Sequence, residues 1–138
     1  MVTPLSCALP NRLEQGPKGS GEERLRISPG SLFEAVYQSA EAREQYYCNY
    51  GVNVEYEKQF QASGLEVSAR GINGEPRAIE LPGHRFFVAA LFQPQLSSRP
   101  ESPHPLLVQF LVAAASFRQT RLQAANFPAT QTAIPAPG

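Results

Sequence analysis

Two glutamines flank a proline in the stretch Phe92-Gln93-Pro94-Gln95-Leu96, between an apolar run and a loop that leads to a helix. Their amides can read a carboxamide or a nucleobase edge. An amide does not titrate near neutral pH, so neither side chain can take a proton from a thiol or hold an imidazolium in place. Cys48 sits among tyrosines in Tyr46-Tyr47-Cys48-Asn49-Tyr50, and two readings stay open for it: a reactive thiol, or a small strand residue whose thiol packs. Cys7 reads as a core residue near the start of a strand. His84 falls in a turn that enters a strand and His104 at a helix N-terminus, and both read as hydrogen-bonding or surface groups rather than catalytic ones.

Absences narrow the chemistry further. All 12 acidic residues are glutamate, which removes Asp-based triads, Asp-rich metal loops and Mg-phosphate motifs. The two cysteines lack Cys-x-x-Cys spacing, so neither a disulfide framework nor a zinc site is expected, and a reducing cytoplasm fits. The glycine-rich segment 16–21 lacks the Lys-Ser/Thr of a phosphate loop and reads as a loose connection. No metal and no cofactor is expected.

The elements that must carry these groups follow from pattern. At 138 residues and 42% hydrophobic the chain suits one domain with a real core. Its 12 basic and 12 acidic residues are scattered, which argues against a nucleic-acid or anionic-membrane surface. The N-terminus lacks the pattern of a secretory signal, and the apolar run 106–117 is too short and too interrupted for a membrane span. Strands are expected at 3–9, 23–27 and 45–50. Ser31 with Glu34 predicts a capped short helix through Tyr37, and Asn53 predicts the start of another that stops at Gly64. Alternation at 65–69 and 78–81 around Asn73-Gly74 predicts a β-hairpin. The run 86–92 reads as a strand buried on both faces. A last helix from Pro105 should bury Leu106, Leu107, Phe110, Leu111 and Ala114, with Arg118 and Arg121 near its negative end. The expected whole is a mixed sheet with flanking helices, followed by a disordered Pro/Ala-rich tail over 123–138.

Several segments carry a family resemblance. Ser28-Pro29-Gly30-Ser31, the stretch from Glu44 to Asn53, Glu80-Leu81-Pro82-Gly83-His84-Arg85-Phe86-Phe87-Val88-Ala89, Ser98-Arg99-Pro100 and Pro103-His104-Pro105-Leu106 resemble, in order, the C-terminal half of the class I glutamine amidotransferase domain of CTP synthases. The tyrosine-rich variant is similar to divergent bacterial CTP synthase-related proteins that lack the synthetase domain. The resemblance implies an α/β, flavodoxin-like fold, of which residues 1–122 would be the C-terminal portion. It also implies a cysteine nucleophile on a tight elbow, a histidine base and a glutamate that orients it. Gln93 and Gln95 stand at the histidine and glutamate positions, and Asn49 aligns with an arginine that holds the substrate carboxylate. No segment reads as the nucleophile elbow, so the first strands and helices of the fold are expected upstream of Met1.

Three functions stay open on these grounds. The first is a degenerate amidotransferase domain, inactive alone as a glutaminase, with a binding or regulatory role toward a glutamine-like or nucleotide ligand. The second is an enzyme with an altered pocket in which Cys48 is nucleophile or redox centre. The third is an interaction half that completes its fold with a separate N-terminal segment or as a homo-oligomer.

Overall fold

The structure is a computed structural model and describes residues 2–4, 20–47 and 50–126. Five strands form the main sheet: β2 (Ser20–Ile27), β3 (Glu41–Tyr47), β5 (Glu66–Arg70), β6 (Pro76–Glu80) and β7 (Val88–Ala90), in the order β3-β2-β5-β6-β7. Two short strands, β1 (Val2–Pro4) and β4 (Tyr50–Val52), pair separately. A helix α1 (Leu32–Tyr37) links β2 to β3. A 3-10 turn at Val54–Tyr56 runs into α2 (Glu57–Ala62), α3 (Pro94–Ser97) follows β7, and α4 (Pro105–Asn126) ends the described chain. The class is α/β. Every described strand pair is antiparallel, where a mixed sheet was expected.

Local chemistry explains these elements. β3 begins at Glu41, four residues before the expected start, because its charged residues face solvent and pair diagonally with β2. Arg24 bonds Glu41, and Arg43 Nη1 donates to Glu22 Oε1 at 2.9 Å. The Ser31 Oγ accepts from the Glu34 amide at 3.1 Å while Glu34 Oε2 accepts from the Gly30 amide at 2.7 Å, a reciprocal cap on α1. Glu80, on β6, accepts from the Leu32 amide at 2.9 Å and so ties the hairpin to the first turn of that helix. The Asn53 side chain caps the 3-10 turn, and Gly64 ends α2 in the left-handed conformation at φ 78. Gly74, at φ 84, closes the turn between β5 and β6, as Asn-Gly predicts.

The core is small. Leu25, Ile27, Phe33, Ala69, Ala78, Phe92 and Leu106 form it, with the Phe33 ring stacked on Tyr37 at 5.6 Å and edge-on to Phe92 at 6.1 Å. Two expectations fail here. The run 86–92 yields only the three-residue β7 at the sheet edge, and Phe87 and Ala89 are exposed, with Val52 of the short β4 standing across a small pocket from Ala89. Of the stripe predicted on the last helix, Leu106 alone is buried; Leu107, Phe110, Leu111 and Ala114 face solvent, since only the first turn of α4 reaches the core. The helix also continues to Asn126, past the boundary expected at 122, and residues 127–138 lie outside those described, as does the connection at 10–19. No helix among the described residues is long and apolar enough to cross a membrane.

A buried charge group braces the sheet. Arg77 on β6 bonds Glu23 on β2 at 2.6 Å and Glu75 at 3.2 Å. Burial pushes the Glu23 carboxyl above its usual range, and the Arg77 guanidinium brings it only part of the way back. A carboxyl raised in the folded state contributes stability that is present below its unfolded pKa and is lost as pH rises through the folded one. Glu23→Gln removes that dependence. The stability difference between variant and wild type should therefore shift in favour of the variant as pH rises from below the ordinary glutamate range to above it. Urea unfolding across that range checks it, and a difference that does not change with pH contradicts it.

Candidate functional site

The segment from Phe92 to Ser97 is held against β3 by backbone. The Gln93 amide donates to the Gln45 carbonyl at 2.9 Å, and the Leu96 amide closes back on the Gln93 carbonyl at 2.9 Å, starting α3 with Pro94 in its first turn. Gln93 is half-buried and its side chain makes no capping bond to α3; Gln95 is exposed. The two amides therefore stand at one short helix start, beside the strand that leads toward residues 48 and 49. Cys48 and Asn49 lie outside the described residues, as does Cys7. His84 is exposed in the turn before β7, where its Nδ1 accepts from the Phe86 amide at 3.3 Å and its ring meets Phe87 edge-on.

His104 has a different setting. Its Nε2 lies 2.9 Å from Glu44 Oε1, and the Tyr37 hydroxyl donates to that same carboxylate oxygen. Glu44 and His104 are 2% and 5% exposed. The Leu106 amide donates to Nδ1 at 3.2 Å, which assigns the ring proton to Nε2 when the imidazole is neutral. Burial and the adjacent Glu44 carboxylate keep the Tyr37 hydroxyl protonated, far above the usual phenol range. The His104 ring also packs near Phe92, with centroids 6.4 Å apart, so the cluster adjoins the Gln93 segment.

A histidine paired with a glutamate is the arrangement of a base and its orienting acid. This pair cannot work as one, because both ring nitrogens are committed to internal partners and the ring is sealed from solvent. Its effect is structural: it joins β3, α1 and the start of α4. Sequence reasoning placed His104 correctly as a hydrogen-bonding residue and missed Glu44 and Tyr37 as its partners. The available signal was register: Glu44 shares the inward face of β3 with Ala42 and Tyr46, where a carboxylate must have partners. Among the described residues no group of three or more His, Cys, Asp or Glu is gathered that could hold a metal ion.

Removing the imidazole leaves Glu44 buried with Tyr37 alone. His104→Ala should cost about 2–4 kcal/mol in urea unfolding. A cost below about 0.5 kcal/mol, the range of an ordinary surface substitution, contradicts the bracing role.

No protein-family model matches the chain. It is 36% identical over 96 residues to the CTP synthase of Helicobacter pylori strain HPAG1 and 43% identical over 96 residues to that of Caldivirga maquilingensis, covering 70% and 68% of this chain and 18% of each relative. Among solved structures it is similar to the CTPS glutaminase domain of Trypanosoma brucei with bound acivicin, with a TM-score of 0.72 and 28% identity over 83% of this chain and 46% of that one. The chain thus spans less than half of that domain and a small part of the full-length relatives. These similarities and the shared class I amidotransferase fold place it among the glutamine amidotransferase domains of CTP synthase type.

Proposed function

We propose that this domain keeps the amidotransferase frame without glutaminase activity of its own, and serves to bind a glutamine-like or nucleotide ligand or to regulate a larger assembly. The observation that carries this reading is the pair Gln93 and Gln95 at the start of α3, in the segment that resembles the family's base and orienting acid. Hydrolysis of an amide at neutral pH needs a group that accepts a proton from the nucleophile and returns it to the leaving amine. Neither amide does this. The two described histidines offer no substitute: His104 is buried with both nitrogens engaged, and His84 is exposed in a separate turn. What the amides retain is donor and acceptor capacity, suited to reading a carboxamide or a base edge.

The test is ammonia release from L-glutamine by the 138-residue chain. The expected result is no release above the buffer rate. Release above background that disappears in Gln93→Ala would sink the proposal.

A further inference from the structure

The segment that carries the two glutamines hangs from two strands that are not neighbours. The Leu91 amide donates to the Arg77 carbonyl on β6 at 2.9 Å, and two residues on, the Gln93 amide donates to the Gln45 carbonyl on β3 at 2.9 Å. In the order β3-β2-β5-β6-β7, both β2 and β5 stand between those anchors, so the sheet curls until one short segment joins its two ends. Where Gln93 stands is then set by how far β6 lies from β3.

The Arg77 side chain spans the same gap. Its guanidinium lies 6.0 Å from the centre of the ring of Tyr46, the residue after the Gln45 anchor, and its Nη2 bonds Glu23 at 2.6 Å and Glu75 at 3.2 Å. Arg77 is 5% exposed. A Cβ on Gly71 would collide with both carboxylates, so the bare backbone there lets them converge on one cation. One carboxylate suffices to neutralise a buried guanidinium; two, set on β2 and on the β5–β6 turn, also hold its rigid fork in a single direction. That direction brings it to Tyr46. We propose that Arg77 is a positioning residue for the glutamine-bearing segment, a strut from β6 to Tyr46 on β3 that fixes the place of Gln93. An amide that reads a carboxamide or a base edge must stand within a fraction of an ångström of its hydrogen-bonding position, which gives such a strut its use. This use rests on the ligand-binding reading of Gln93 and Gln95; the strut itself rests on the geometry.

Amide hydrogen exchange of the full chain, followed by NMR, separates local positioning from general stability. The Gln93 amide is read against that of Ile27, a core residue bonded to the Ala40 carbonyl at 2.8 Å. Tyr46→Leu removes the ring beside Arg77 and Tyr46→Phe keeps it, and both spare the buried charges. Relative to Ile27, the Gln93 amide should exchange at least about tenfold faster in Tyr46→Leu and at the wild-type ratio in Tyr46→Phe. An unchanged ratio in Tyr46→Leu, or a loss as large in Tyr46→Phe, would overturn the strut. L-glutamine titrated into the same samples should bind Tyr46→Leu at least about fivefold more weakly than wild type, and Tyr46→Phe equally well. Equal binding by wild type and Tyr46→Leu would overturn its use in ligand placement. No binding of L-glutamine to wild type would count against the glutamine-like reading of the site, while the exchange ratio still decides the strut.

Discussion

The Glu44 carboxylate is the constraint on which the rest of this structure depends. A carboxylate so deeply buried is costly unless it is bonded, and the two groups that bond its Oε1 come from different elements: the Tyr37 hydroxyl from α1 and the His104 ring from the residue before α4. The same rings continue the core, Phe33 on Tyr37, Phe92 on Phe33, and His104 near Phe92. One polar contact therefore fixes the relative positions of β3, α1 and α4 and the entry to α3. With few fully buried apolar side chains beneath it, such a small sheet gains definition from this knot more than from area.

That arrangement separates the frame from the chemistry. The backbone bond from Gln93 to Gln45 and the proline in the first turn of α3 hold the segment in place without using either glutamine side chain. The main chain of this segment can hold its place with a neutral or an ionisable side chain at either position, because the bonds that hold it are backbone bonds. The kinship in fold is thus no statement about activity.

Much of the frame was legible in the sequence. The Ser31 cap, the Asn53 cap, the Gly64 stop and the Asn-Gly hairpin are local signals with local causes, and the structure carries each. What was not legible depends on partners distant in sequence. The start of β3 was hidden by Glu41 and Arg43, whose charges read as loop until Arg24 and Glu22 are set opposite them. Glu44 looked like one more polar residue until His104, 60 positions away, closed on it. The runs at 86–92 and 106–117 predict burial, and apolar pattern alone cannot say whether the covering layer is in the same segment of chain; here it is not among the described residues. Of the candidate site, Gln93 and Gln95 both lie at the start of α3, while Cys48 and Asn49 fall outside what is described.

If the frame is independent of the two amides, placing ionisable groups at their positions should not disturb it. Equilibrium urea unfolding of the double variant Gln93→His/Gln95→Glu measures this directly. The account predicts a stability within about 0.5 kcal/mol of wild type, as for substitutions away from the core. A loss of about 2 kcal/mol or more would show that the glutamine side chains hold the fold together and would contradict it.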